Sequence, residues 1–438
     1  MIYPTRMAVM AAAAGAPVAL LIAVLAPDHW YAGLAWPMAI LLGALIDAML
    51  ALPAGRIAAG LTLPRTASVG ETVDAVISVE GPPRGGPPSV QIAIAADPLV
   101  GLEDDGRASV QLDQGKGAVA LPVATRRRGT AHFGTFWVRW RGPLALVWRQ
   151  KRMASEAALK ILPDIRPVRE RGARIFQRHA LQGLMTQLDR GDGTDFDALV
   201  EFRSGMDRRA IDWKQSARHQ KLHAKEYRTE RNNQIVFAID SGRQMSEPVA
   251  GIPRVDRAVA AMLLTGWVAL KLGDRVALHS FDSRPRIASG LISGASAFPE
   301  LQHLAAGIDY SGEETNYTYA LTTLAARLTR RSMIVMFTEF TDLTSADFMI
   351  RAAARLVETH LLLIVVLRDE ELESLVDHAP DTADDITRAV TAAGLLKDRL
   401  LALTRLRHLG AHVIESDYDR VADRLVEGYV DLKRRNLL

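Results

Sequence analysis

The chain has 438 residues, enough for two or three domains beyond any membrane segment. Hydrophobic residues make up 49% and charged residues 24%, so a packed core is expected and wholesale disorder is not. The 53 basic side chains nearly balance the 50 acidic ones, which argues against a general nucleic-acid binder; the absence of cysteine excludes disulfides, thiolate zinc sites and cysteine nucleophiles.

Met7 to Pro27 contains no charged residue and is Ala, Val, Leu and Ile almost throughout. Such a run is long enough to cross a hydrocarbon core of ~30 Å as a helix. Asp28 and His29 interrupt it, and a second apolar run follows from Trp30 to Leu52, broken only by Asp47. The pair predicts two transmembrane helices joined by a very short connection, within a segment 1–56. Trp30, Tyr31 and Trp36 suit a headgroup interface. A cleaved signal peptide is the rival reading, but Pro27 follows the small-residue site Val24-Leu25-Ala26 and the preceding basic region is thin. Arg6 precedes the first span, Arg56 and Arg65 follow the second, and the connection has no Lys or Arg. The positive-inside rule then predicts a two-pass protein of the cell membrane with its soluble domains in the cytoplasm and the lipid bilayer as a partner. Asp47 lies near the end of its span and is expected to be interfacial and hydrated.

Residues 61–164 carry a β pattern. Val73, Ala75, Ile77 and Val79 alternate with polar residues, as do Val90, Ile92 and Ile94, then Val119, Leu121 and Val123, then Phe136, Val138 and Trp140. Period-2 spacing with Gly and Pro punctuation predicts a β-sandwich domain. Its basic run Arg126-Arg127-Arg128 reads as a solvated loop, with binding of lipid headgroups or an acidic partner as the alternative.

After about Arg166 strand-like and helix-like segments alternate. Strands are expected at Ile235–Ile239, Val276–Phe281, Met333–Phe337, Leu361–Leu367 and Val413-Ile414. Helices are expected at Arg254–Leu272, Tyr317–Leu328, Ala346–Val357 and Tyr418–Leu432, and a long charged, apolar-striped stretch runs from Asp385 to Leu409. This β–α alternation predicts an α/β domain over 180–438 with a mainly parallel sheet. Ligands of such sheets sit at the C-terminal ends of strands, where Asp240, Glu339 and Asp369 fall. No P-loop occurs, Gly191-Asp192-Gly193 is not a dinucleotide fingerprint, and no nucleophile elbow is present. His219 and His223 have zincin spacing, but Gln220 replaces the general-base Glu. No catalytic residue is assigned.

The stretch Gly193-Thr194-Asp195-Phe196-Asp197, then Glu201-Phe202-Arg203-Ser204-Gly205, then Asp207-Arg208-Arg209-Ala210-Ile211-Asp212-Trp213-Lys214, closely resembles the signature of the DUF58 family, a domain of unknown function related to von Willebrand factor A domains. Lys225-Glu226-Tyr227, Leu367-Arg368-Asp369-Glu370-Glu371-Leu372 and Tyr429-Val430-Asp431-Leu432-Lys433 extend the resemblance. Met206 departs from it, standing where the family often has an acidic residue. Read from the residues alone, Ile211 and Trp213 alternate as core positions, and the surrounding Arg, Asp and Glu residues pair with one another.

The resemblance implies a von Willebrand A-like topology and, often in such domains, a divalent cation held by a D-x-S-x-S loop, a Thr and an Asp. Asp240 and Thr315 match that pattern as metal ligands, and Glu339 stands in for the last Asp. Gly242 and Gln244 occupy the two Ser positions and, with Asp342, are the expected partner-binding residues. The departures predict no cofactor, with weak Mg²⁺ binding at a degenerate site as the alternative. The leading expectation is a membrane-anchored interaction or assembly module, not an enzyme, for which the resemblance implies a MoxR-type AAA+ ATPase as partner. The alternative is a metal-assisted hydrolase using Asp240, Glu339 and Asp342.

Overall fold

A computed structural model describes residues 1–25, 27–95, 97–181, 195–203, 208–219, 221–228, 233–340, 343–379, 381–435 and 437–438. The chain divides into two units, Met1–Pro163 and Asp164–Leu438.

The first unit begins with a short strand, β1 (Ile2–Pro4), ahead of the first apolar run. That run forms α1 (Arg6–Leu25), and the second run forms α2 (Ala35–Leu50). Arg6–Leu25 and the longer stretch Tyr31–Arg56, which contains α2, have the length and composition to cross a membrane. The link between them is a 3-10 helix, Pro27–Leu34, kinked at His29. Small residues let the backbones approach. A Cβ at Gly15 would collide with the Trp36 ring, and Trp36 Nε1 donates to the Ala11 carbonyl at 2.8 Å. Trp36 is therefore packed on α1 as well as half exposed, which its expected headgroup role did not include.

Ten strands make two sheets. One runs β1, β10 (Val147–Leu162), β9 (Gly129–Arg141), β5 (Ser89–Ala95), β7 (Arg107–Gln111), with β3 (Thr66–Ser68) on β10. The other runs β2 (Ala58–Thr62), β4 (Thr72–Glu80), β8 (Lys116–Thr125), β6 (Val100–Leu102). The alternating positions Ala75, Ile77, Val79, Val90, Ile92, Ile94, Phe136, Val138 and Trp140 share one buried core, so the period-2 pattern marks the inner faces. A register shift in the β9–β10 ladder separates Phe133 and Phe136, both buried, and sets Trp137, Arg139 and Arg141 on the outer face.

Asp47 departs from the sequence reading. It is fully buried and accepts the backbone N–H groups of Leu144 at 2.7 Å, Leu146 at 2.8 Å and Val147 at 2.9 Å. The turn between β9 and β10 supplies the polar partners expected from water. A Cβ on Gly142 would strike this carboxylate, so the turn needs a glycine there. Arg149 Nη1 donates to the Ala51 carbonyl at 2.7 Å and Trp140 Nε1 to the Leu52 carbonyl at 3.2 Å, which closes the end of α2.

In the second unit the sheet order is β17 (Pro285–Ala288), β16 (Arg275–Phe281), β13 (Gln234–Asp240), β19 (Met333–Phe337), β20 (Leu361–Leu367), β21 (His412–Ser416), with β18 (Ile292–Ser293) also on β16. The β13, β16, β19, β20 and β21 ladders are parallel; β17 and β18 pair antiparallel with β16. The expected mainly parallel sheet thus gives way to a mixed one. The segment after β16 turns back at Asp282 instead of crossing over through a helix. Its central strands are buried on both faces, as their continuous apolar runs require. One face carries α6 (Arg254–Lys271), α7 (Phe298–Ala305) and α12 (Val421–Arg434); the other carries α8 (Tyr317–Arg327), α9 (Leu343–Val357) and α11 (Ala383–His408).

The remaining elements are α3 (Arg166–Leu181), the hairpin of β11 (Asp195–Glu201) with β12 (His223–Arg228), α4 (Trp213–His219), α5 (Arg243–Ser246), the short pair β14 (Pro248–Val249) with β15 (Ile252–Pro253), and α10 (Glu370–Asp377). Trp213 corrects the sequence reading: it is 69% exposed. Ile211 bridges Ala224, but the strand stops there. Asp212 turns the chain into α4 by accepting the N–H groups of Lys214 at 3.0 Å and Gln215 at 3.1 Å. The period-2 extrapolation from Ile211 therefore fails after one residue.

The C-terminal helix has a packing role. Asp274, fully buried at the loop before β16, accepts from Lys433 Nζ at 2.6 Å and from the Tyr429 hydroxyl, and its Oδ1 accepts Asn233 N–H at 3.2 Å. Tyr429 and Lys433 are one turn apart on α12, so a single helix face closes this end of the sheet.

Candidate functional site

Asp240 ends β13 at the point where the chain leaves the sheet. Its side chain is fully buried, and four donors converge on it. Oδ1 accepts the Thr315 hydroxyl at 2.7 Å and the Gly242 N–H at 2.9 Å; Oδ2 accepts the Thr338 hydroxyl at 2.7 Å and the Tyr317 hydroxyl at 3.3 Å. Tyr317 also lies 2.9 Å from Thr338 Oγ1 and 3.1 Å from the Glu339 carbonyl. Burial pushes the Asp240 carboxyl up to about 6, against the opposing pull of these donors. The same burial, with the Asp240 charge, holds the Tyr317 phenol well above its ordinary range.

The loops around this network are tied to one another. Ser241 N–H donates to the Phe281 carbonyl at 2.7 Å, Arg243 N–H to the Glu313 carbonyl at 2.9 Å and Asn316 N–H to the Asp282 carbonyl at 2.9 Å. Asn316 then caps α8 by accepting Tyr319 N–H at 3.1 Å. At the surface Arg243 pairs with Glu314 at 2.6 Å, both side chains more than half exposed.

Glu339 turns away from Asp240's donors. Its Oε1 accepts Arg399 Nη1 at 2.8 Å and Phe340 N–H at 3.2 Å, while Arg399 also donates to the Leu367 carbonyl. Burial raises the Glu339 carboxyl pKa, opposed by Arg399 and Arg254. Arg254 in turn holds Asp369 at 2.9 Å, and Asp369 caps α10 through Leu372 N–H.

Of the expected residues, the structure gathers Asp240, Gly242 and Thr315. A Cβ at residue 242 would collide with the Thr315 hydroxyl oxygen, so glycine there permits the Thr315–Asp240 bond. Gln244 is half-buried on α5, Glu339 serves Arg399, and Asp342 lies outside the described residues. As arranged, Asp240 faces proton donors, Thr315 fills the space of a serine side chain at 242, and Glu339 is committed to a guanidinium. This does not fit the cation cluster that the resemblance implies, and among the described residues no three acidic or histidine side chains form another. Sequence reasoning missed Tyr317, Thr338, Arg254 and Arg399. Arg399 had a signal: it lies on the same α11 stripe as the buried Leu403 and Leu406.

The comparisons with known proteins follow this geometry. Residues 199–392 match the family described as "Protein of unknown function DUF58". No curated protein matches the chain. Among solved structures it is weakly similar to the vWF domain of the type V pili tip protein Mfa5 from Porphyromonas gingivalis, with 12% identity over 47% of this chain and 96% of that one and a TM-score of 0.28. BatB from Bacteroides thetaiotaomicron gives 13% identity over 44% of this chain and 98% of that one, TM-score 0.26. The native alpha-2-macroglobulin of Escherichia coli gives 22% identity over 26% of this chain, TM-score 0.20; the match spans only 17% of that structure's length, and for the mussel byssus matrix protein PTMP1 it spans 45%. What the comparisons establish is a match of residues 199–392 to the DUF58 family model.

Proposed function

We propose that this protein is a membrane-anchored protein-interaction module, two-pass, with its soluble part in the cytoplasm, and that the rim over Asp240 receives the partner. One observation carries the reading: an exposed, charged rim of Arg243 and Glu314 sits on loops fixed to the sheet, above a carboxylate sealed by four internal donors. A rigid, exposed polar rim suits recognition, because few side chains lose freedom on binding. The cytoplasmic placement rests on Arg6, Arg56 and Arg65. The DUF58 match over residues 199–392 supports a MoxR-type AAA+ ATPase as the partner. The interaction is expected to work without a cation, a reading that the Thr315, Thr338, Tyr317 and Gly242 donors to Asp240 support. The test is co-purification of a MoxR-type ATPase with the detergent-solubilised full chain. Arg243→Glu and Glu314→Lys, introduced separately, are expected to abolish it. Retention by both variants would refute the rim as the docking surface, and an enzymatically inactive reporter fused at Leu438 when the reporter is restricted to the cytoplasm would refute the placement.

A further inference from the structure

The outer face of the six-stranded sheet in the first unit is basic and aromatic. Register sets Arg141 opposite Trp148, Arg139 opposite Gln150 and Gln91, and Trp137 opposite Arg152 and Ala93; Ala93 then pairs with Arg107. The Arg139 and Arg141 guanidinium carbons lie 4.7 Å and 4.8 Å from the centroid of the Trp148 ring. Arg139 is oriented by neutral groups: Nε donates to Gln91 Oε1 at 2.8 Å and Nη1 to the Tyr3 hydroxyl at 3.4 Å. Tyr3 donates onward to Gln150 Oε1 at 2.9 Å. Arg107, Arg141 and Arg152 are exposed. An open hollow of about 880 Å³ reaches this surface at Arg139, with Arg107, Ser109 and Trp137 also in its lining; Arg141 and Trp148 lie outside it. The acidic groups facing it are Asp104 and Asp105, at one rim.

The same strands hold the apolar helices. Ile2, Tyr3 and Pro4 pair with Arg149, Trp148 and Val147, immediately before α1, and the turn after Arg141 is bound to Asp47 of α2. The Arg141–Trp148 end of the basic face is thus the end from which both helices leave. If they cross a bilayer, as the proposed function holds, this end meets the headgroups. A guanidinium is a fork that matches phosphate oxygens, tryptophan favours the interface, and the cytoplasmic leaflet carries negative charge.

We propose that the Arg139–Arg141–Trp148 face of the β-sheet binds the phosphate of anionic phospholipid headgroups. Both guanidiniums are held over the Trp148 ring, and Arg139 is further fixed by Gln91 and Tyr3, so they are ordered before the lipid arrives. Binding orients the sheet against the membrane and makes the protein selective for acidic lipid.

The test uses the full chain in maltoside micelles, titrated with dihexanoyl phosphatidylglycerol, dihexanoyl phosphatidylcholine, glycerol phosphate and a hexaglutamate peptide. Phosphatidylglycerol is expected to bind about tenfold or more tighter than phosphatidylcholine, and Arg139→Gln with Arg141→Gln to weaken it by a similar factor. Hydrogen exchange of β9 reports that the variant is folded, and Arg141→Gln alone, an exposed site, serves if it is not. Equal binding of the two lipids, or indifference to the substitutions, overturns the proposal. Equal binding of glycerol phosphate overturns the lipid as the source of the phosphate, and tighter binding of hexaglutamate overturns it in favour of an acidic peptide. Release of the chain from native membranes by alkaline carbonate would refute the anchor itself; a lipid-blind chain that resists carbonate refutes the basic face alone.

Discussion

Asp240→Asn is expected to stabilise the second unit at neutral pH, against the usual result of altering a buried polar group. The carboxyl is pushed from 3.8 up to about 6 by burial. A carboxyl whose folded pKa is raised stabilises the fold below its unfolded pKa, and that contribution is lost as pH rises through the folded one. Stability therefore falls between about pH 4 and pH 6 and stays low at pH 7. A shift of roughly two units at about 1.4 kcal/mol each makes the charged form cost about 3 kcal/mol at neutral pH. Asparagine removes the charge and keeps the bonds. Its oxygen accepts from Gly242 and Thr315; its amide nitrogen donates to Thr338 and Tyr317, whose hydroxyl protons then serve each other and the Glu339 carbonyl. The gain should be about 1–3 kcal/mol, since the new amide must fit an existing cage. Hydrogen exchange of the β13 and β19 peptides, in full-length wild type and variant at matched pH, reads this directly. Protection should rise in the variant at pH 7, and the difference should vanish near pH 4. A variant less stable at pH 7 would refute the reasoning, and would mean that the charge is balanced by something other than these donors.

Calorimetric titration with Mg²⁺ and Mn²⁺ should show weak binding or none near physiological concentration; micromolar binding abolished by Asp240→Ala would revive both the cation site and the hydrolase alternative. Asp47→Ala leaves three N–H groups, one buried and two partly buried, without an acceptor and should destabilise the first unit by about 2–4 kcal/mol, read as lost exchange protection at the start of β10. Lys433→Met strips the cation from buried Asp274, whose pKa is already raised by burial, and should cost about 3–5 kcal/mol at pH 8. That loss should shrink as acid protonates Asp274; a pH-independent loss would point to packing alone. Trp213→Ala should change the denaturation midpoint by less than about 1 kcal/mol, because the ring is exposed; a larger loss would mean that it packs against other residues.

Local pattern carried most of the architecture. The strand ending at Asp240, the strands Met333–Phe337 and Leu361–Leu367, and the helix beginning at Tyr317 are where their periodicity sets them. Each is specified by neighbours a few residues apart, through alternation or helical spacing. Asp240 was legible as the residue that ends an apolar run, whereas Thr315 came only from the resemblance to the loops of von Willebrand A-type domains. Tertiary structure alone decided how the polar residues were satisfied. Asp47 looked like a carboxylate in need of water because the N–H groups that donate to it are about a hundred residues away, at Leu144 to Val147. Glu339 looked like a ligand because Arg399, sixty residues on, cannot be paired with it from spacing. Trp213 was misread as core because the alternation through Ile211 ends at a cap that Asp212 makes with the following N–H groups. Apolar burial repeats with the backbone period, so one sequence displays it; a hydrogen bond or ion pair needs one partner in one place, and only the folded chain brings that partner there.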